Sequence, residues 1–301
     1  MEGFAEASHL GAMNSPNPSS LLFLGASGLI GTFVTPALIK AGFSVSTGGR
    51  RGLSVGGAPG IAVDLRDSNS LARAMQGVAT VALVLPDAPD METLGSNAVK
   101  VAKAAGVRRL LWFSSFAAKR DNQARFSCRH PVIDEVVRSS GIPYTILRPN
   151  FLMQNFAFFY GEMIRTTGTI FSPLGDARVS HLYLRDLSAA AAAALTEDRH
   201  INKTYDVSGP EALHTGEAAE QMSAATGRAI RYQPISVAEM ESSLREAGMD
   251  AWFAEGLAEL YGWIRDSGLG SEVTDNVEQL LGRKATRFRQ FASDERTVWL
   301  D

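Results

Sequence analysis

Residues 25–31 read Gly25-Ala26-Ser27-Gly28-Leu29-Ile30-Gly31, a G-x-x-G-x-x-G spacing between a short apolar run (Leu21–Gly25) and a helical stretch from Leu29 to Lys40. In that position each glycine has a separate use. The first permits a tight turn, the second lets the backbone approach a pyrophosphate, and the third lets the helix lie close on a sheet. Bared N–H groups and the helix dipole then favour an anion. Glycine is common here, with 28 in the chain, so the signal lies in the placement at the first strand-to-helix turn. A dinucleotide-binding loop of Gly25, Ser27, Gly28, Leu29 and Ile30 is expected. The second strand ends Thr47-Gly48-Gly49-Arg50-Arg51, with no carboxylate to take ribose hydroxyls. The donor forks of Arg50 and Arg51 match the oxygens of a 2′-phosphate, which points to NADPH as cofactor. The bland alternative is a solvated basic turn.

Proton chemistry has fewer candidates. His130 precedes Asp134 by four residues, one helical turn, where a carboxylate can orient an imidazole and raise its pKa. His130 is then a proton donor or a contact to the nicotinamide ribose; otherwise it caps a helix and Asp134 is a surface acid. Cys128 beside Arg129 lacks a Cys–His–Asn arrangement, and the five scattered histidines have no close-spaced second ligand, so no metal site is expected. Aromatic residues cluster at 151–160 and again at Trp252, Phe253, Tyr261 and Trp263. Phe151, Met153, Asn155, Phe158 and Trp252 are the candidates to line an apolar acceptor cavity, with plain packing as the alternative reading.

The elements that must hold these residues follow from the pattern. Six apolar runs (21–25, 43–47, 61–65, 79–85, 109–115 and 143–147) alternate with helical stretches, and Asp67-Ser68 makes a helix N-cap. Apolar runs without polar alternation are strands covered on both faces, which gives an α/β, Rossmann-type doubly wound parallel sheet. The helix before the sixth run spans 131–140 by the spacing of Val132, Val136 and Val137. Further strands are expected at 179–184 and 204–207, with an alanine-rich helix over 187–195 entered through Asp186. Beyond Gly209 the pattern is helical (215–226, 236–247, 251–266) with one strand at 230–233. The reading is a disordered extension over 1–20, a nucleotide-binding domain over 21–209, and a smaller helix-rich substrate lobe over 210–301, to which 150–178 contributes.

The ordered set of motifs resembles the NmrA-like branch of the atypical short-chain dehydrogenases/reductases, which includes quinone reductases, phenylpropanoid reductases and redox-sensing regulators. It is carried by Gly25–Gly31, Asp64-Leu65 with Asp67, Leu85-Pro86, Ala104–Val107 leading to Phe113-Ser114-Ser115, the run Ser140–Pro149, Phe151–Asn155, Arg185-Asp186 and Tyr205–Pro210. The resemblance implies that Asp64 and Leu65 flank the adenine and that Leu85 and Pro86 run beneath the nicotinamide ribose. It implies that Ser114 and Ser115 end the strand under the ring, with Pro149, Asn150 and Phe151 closing over it. Ser115 would donate to a substrate carbonyl. The superfamily's tyrosine four residues before a lysine is missing: Tyr144 is followed by Arg148, Tyr160 by Ile164 and Tyr183 by Leu187. His130 stands where NmrA-like reductases often place a histidine.

Composition narrows the partners. The 301 residues carry a net charge of −3 and one cysteine, which argues against nucleic acid and internal disulfides and for a reducing, cytoplasmic setting. No apolar run reaches the roughly 20 residues a bilayer requires. The expectation is a monomeric or homodimeric NADPH-dependent reductase acting on a small, apolar, aromatic or polycyclic acceptor such as a quinone, C=N or C=C. The alternatives are an NADP(H)-sensing regulator without turnover and a non-redox, cyclase-like biosynthetic enzyme on the same fold.

Overall fold

The computed structural model describes residues 19–118 and 124–300. The extension expected over 1–20 lies almost wholly outside them. The first half alternates strand and helix: β1 (Ser20–Leu24), α1 (Leu29–Lys40), β2 (Ser44–Gly49), β3 (Gly60–Ala62), α2 (Ser68–Ala74), β4 (Thr80–Leu83), α3 (Met91–Ala104), β5 (Arg109–Phe113), α4 (His130–Ser139) and β6 (Tyr144–Pro149). Shorter elements follow, α5 (Asn155–Phe158), α6 (Gly161–Thr167), β7 (Thr169–Ser172) and β8 (Arg178–Val179), before α7 (Leu184–Thr196) and β9 (Lys203–Val207). The remainder is β10 (Leu213–His214), α8 (Thr215–Thr226), β11 (Arg231–Pro234), α9 (Val237–Glu246), α10 (Ala251–Ser267), α11 (Asn276–Leu281) and α12 (Phe288–Asp294).

Seven parallel strands make the central sheet in the order β3-β2-β1-β4-β5-β6-β9. Successive residues of β1 face opposite layers: Leu22 and Leu24 pack with Val81, Leu83, Trp112 and Ile133, whereas Leu21 and Phe23 pack with Ala82, Phe113, Leu147 and Leu187. Both faces are dry, which explains the unbroken apolar runs. Ala190, Ala191 and Ala194 are fully buried on α7, and their small side chains let α7 lie against α1. Strand order reverses between β1 and β4, so the crevice for a ligand opens at the carboxyl ends of these two strands.

The second lobe has its own core, built from Phe156, Tyr160, Ile164 and Ile170 together with Met222, Phe288, Phe291 and Trp299. Its small sheets pair β7 with β11 in parallel and β8 with β10 antiparallel. Helix α11 returns to the first domain, where Val277 and Leu280 join the layer containing Leu187.

Two local expectations shift. The strand expected over 179–184 is reduced to Arg178–Val179, because α7 starts at Leu184, ahead of Asp186. Asp186 does not cap that helix; its carboxylate accepts from the Thr286 amide and hydroxyl and pairs with Arg283. On α4 the buried face is Ile133, Asp134 and Val137, while Val132 is 44% exposed. With a paired carboxylate turned inward, Val132 is the one valine of the three left outside, while Val137 stays buried and Val136 packs at the edge of the core. Among the described residues, no helix is long and apolar enough to cross a membrane, and no group of three or more His, Cys, Asp or Glu could hold a metal ion.

Candidate active site

The glycine turn sits where the sheet order reverses. Gly25 follows β1 directly at φ 82°, donates its amide to the Gly48 carbonyl, and has no room for a side chain because a Cβ there would run into the Val84 carbonyl. Gly31 is fixed in the same way by the Ala26 backbone. Gly28 differs. Its φ is −82°, and an added Cβ would approach only the Gly25 carbonyl oxygen at 3.6 Å. Protein packing therefore explains two of the glycines and leaves Gly28 unexplained by the chain itself. A ligand lying against the loop supplies the reason. Gly28 is the N-cap of α1, with no side-chain cap and no acidic residue in the first turn. The first amides of α1 are thus left to an external anion. These residues fit the diphosphate of a dinucleotide.

Beside the loop is a cavity of about 450 Å³ lined by Ser27 and by residues 47–53, including Arg50 and Arg51. The Thr47 hydroxyl donates to the Leu53 and Pro59 carbonyls and so pins the turn that carries both arginines. Both guanidiniums are exposed, and neither has a carboxylate partner among the described residues. Asp64 and Leu65 follow β3, half-buried. The Asp64 carboxylate accepts from the Arg66 amide, and neither residue lines this cavity.

A second cavity, of about 470 Å³, opens at the carboxyl ends of β4, β5 and β6. It starts at Ile30 in the first turn of α1, so the glycine loop and this chamber share a wall. Of the candidates named from the sequence, Leu85, Ser114, Ser115, His130, Pro149, Asn150, Phe151 and Asn155 line it. Pro86 does not; it is exposed just outside. Asn150 contributes only its backbone, because its amide group donates to the Ser180 hydroxyl and the Gly270 carbonyl and its oxygen accepts from the Phe151 amide. The Ser115 hydroxyl accepts from the Ala117 amide.

Three expected acceptor contacts lie elsewhere. Met153 is buried in the core of the second lobe. Phe158 is 68% exposed and meets Phe33 edge-on. Trp252 faces the guanidiniums of Arg125 and Arg129. In their place one face of α10 supplies Phe253, Leu257, Leu260, Tyr261 and Ile264. Phe253 and Tyr261 lie on the helical segment expected from the sequence, but Trp252 was the candidate named there and Leu257, Leu260 and Ile264 were missed. Their spacing with Phe253 at 253/257/260/264 is the helical signal that marks this face. Segment 124–129 seals the side. Arg125 pairs with Glu255 and Glu259, and Phe126 lies in a notch that exists because residue 256 is glycine.

The polar wall is small. His130 stacks on Trp112 with centroids 5.6 Å apart. The Trp112 indole donates to Asp134, whose other oxygen accepts from Arg148 at 2.6 Å. Both carboxylate oxygens are thus engaged, so Asp134 does not orient the imidazole as the four-residue spacing suggested. Burial pushes the His130 pKa down to about 4, outweighing the Coulombic pull of Asp134. His130 is neutral at pH 7. Its Nδ1 and the Ser114 Oγ are buried without a hydrogen-bond partner among the described residues, and both belong to chamber-lining residues.

Comparison with known proteins agrees with this geometry. The model of the NmrA-like family matches residues 17–295. An NAD(P)H azoreductase from Xenophilus azovorans is 33% identical over 277 residues, covering 90% of this chain and 96% of that protein. The (4-alkanoyl-5-oxo-2,5-dihydrofuran-3-yl)methyl phosphate reductase of Streptomyces griseus is 33% identical over 285 residues, with 91% and 97% covered. The Citrobacter sp. triphenylmethane reductase complexed with NADP(H) superposes with a TM-score of 0.79 at 26% identity, over 92% of this chain and 99% of that one. With its glycine turn at the strand reversal and matches of this length, the chain belongs to the NmrA-like family of atypical short-chain dehydrogenases/reductases.

Proposed function

We propose that the protein is an NADPH-dependent reductase that delivers hydride to an apolar, electron-poor acceptor, a quinone, C=N or C=C, held in the aromatic chamber. Family membership and its reductase relatives make the chain an NAD(P)H-dependent oxidoreductase; the acceptor class and the preference for NADPH are the proposal. The carrying observation is the shared wall at Ile30, which sets an apolar chamber directly beyond a cradle suited to a diphosphate. The bound nicotinamide supplies the hydride. The chain holds the diphosphate on the loop amides, takes the 2′-phosphate with Arg50 and Arg51, and excludes water with Phe126, Phe151, Phe253 and Tyr261. Ser114 and neutral His130 offer hydrogen bonds to an acceptor heteroatom as charge builds on it. With His130 uncharged and no lysine-backed tyrosine, the chamber suits acceptors that take hydride without a strong acid.

That same absence favours a second reading, a dinucleotide sensor without turnover. Mixing the protein with NADPH and a panel of quinones and cyclic imines, while following the absorbance of the reduced nicotinamide, separates the two. Consumption above background on any member supports the reductase. Tight binding of both cofactor forms with no consumption favours the sensor. Combined Arg50→Ala and Arg51→Ala should weaken NADPH binding by about 1.5–3 kcal/mol and leave NADH binding unchanged. Equal losses for both would remove the NADPH preference.

A further inference from the structure

Beyond the chamber lies a larger cavity, of about 730 Å³, between α5, α6 and α9. Phe159 and Met249 line both spaces, so the two are neighbouring compartments divided by a pair of side chains. The outer compartment is walled by Phe158, Tyr160, Met163, Phe171, Met240 and Leu244, with Glu239 and Glu246 at its rim. Its depth is apolar and its mouth acidic. Neither compartment has a lysine or arginine among its lining residues, and the inner one carries the Asp87 carboxyl. Phe158 is the most exposed large apolar side chain of those described as exposed, and this compartment accounts for it.

We infer that the outer compartment is a distal subsite for an elongated acceptor, taking an aromatic arm that ends in a cationic group. The inference rests on the reductase reading of the inner chamber. An arm entering past Phe159 and Met249 covers apolar surface that otherwise faces water, and its cationic end reaches two carboxylates with no competing guanidinium or ammonium. Glu239 is half engaged, since it accepts from the Ser236 amide in the cap of α9. Glu246 accepts from the Ser242 hydroxyl through one oxygen, which leaves the other for the ligand. A sulfonate or phosphate end meets like charge at the same place.

The probes are three 1,4-naphthoquinones: unsubstituted, bearing a biphenyl arm ending in trimethylammonium, and bearing the same arm ending in sulfonate. Wild type should show a KM at least tenfold lower for the ammonium arm than for the sulfonate arm. Glu246→Gln should narrow that ratio about threefold or more. Ser243→Trp fills the mouth from an exposed helix position without opening the core, and it should raise the KM of the ammonium-armed quinone about tenfold. The unsubstituted quinone should stay within twofold. Ala247→Trp repeats the test from a second exposed position. Equal responses of bare and armed quinones, or preference for the sulfonate, would overturn the subsite while leaving the reductase intact. Failure to reduce even the bare quinone would instead count against the reductase. Calorimetric titration of the same three probes into the NADP+-loaded protein then decides the subsite, since an ammonium arm that binds no tighter than the bare quinone overturns it.

Discussion

The cradle and the chamber are adjacent, and they are made of different material. The cradle is backbone: amides of the first turn of α1 and two glycines locked by the carbonyls of Val84 and Ala26. The chamber is side chains drawn from β5, β6, α4, α10 and the segment around Phe126. A backbone site tolerates almost no change at its fixed points and serves one ligand. A side-chain site can be relined while the fold stays put, so acceptor preference is free to drift beneath a constant cofactor grip. Ser114 and His130, the two chamber-lining side chains that carry a buried polar atom without a partner among the described residues, stand between these two regimes, since the sheet positions one and the start of α4 the other.

This contrast can be broken in four ways. The largest effect is expected beneath the polar wall. Arg148→Met takes from the fully buried Asp134 its nearest cation and leaves only the half-exposed Arg138 at 3.8 Å; loss of such a partner costs about 3 kcal/mol or more, read as a drop in the unfolding midpoint in denaturant. Next is the glycine pair. Gly31→Ala forces a Cβ into the Ala26 backbone and should cost about 3 kcal/mol of stability. Gly28→Ala has room, so melting should barely move while NADPH affinity falls about tenfold, near 1.4 kcal/mol. If both glycines respond alike in melting and binding, the cradle is not built from backbone.

Acid should load both lobes, through His130 in one and His181 in the other. His181 is buried within a ring of Phe151, Phe156 and Phe288, and burial lowers its pKa to about 4 from 6.5. The folded state refuses a proton that the unfolded chain accepts, so this contribution is intact above pH 6.5 and is lost as pH falls toward 4. Between pH 7 and pH 5 it amounts to about 2 kcal/mol, and His181→Leu should flatten that slope. The smallest effect is at His130. His130→Ala removes one hydrogen-bonding group, about 1–1.5 kcal/mol, so kcat/KM should drop about 5–15-fold. With the imidazole already neutral, wild type should show no activity limb near pH 6.5. A limb there that disappears in the variant would mean the histidine works charged.

What was legible in the sequence follows the same division. The bounds of α1, the N-cap at Asp67 and the order of six strands were readable because propensity, capping and burial all agree along one stretch of chain. So was the strand expected over 204–207, which forms as Lys203–Val207, although its place as the seventh strand of the sheet was not. The glycine loop was readable because its chemistry is local. The chamber was less so. Trp252 and Phe253 are adjacent, and Phe253 turns to the chamber with Leu257 and Leu260 while Trp252 meets the guanidiniums of Arg125 and Arg129, which come from a distant stretch of chain. The pairing of Asp134 with Arg148 and Trp112 joins residues 14 and 22 positions apart, beyond the reach of an i, i+4 rule. The fold also buries His130, and that burial outweighs the pull of Asp134 and reverses the expected effect on the imidazole.

Helix α11 bears on the unity of the molecule. Because Val277 and Leu280 cover the same layer as Leu187 and Ala191, the nucleotide-binding half is completed only by chain that has already traversed the other lobe. No single cut yields an autonomous dinucleotide module. Truncation after Gly209 would strip apolar cover from α7, and swapping acceptor lobes between relatives requires two junctions, one on each side of the exchanged stretch.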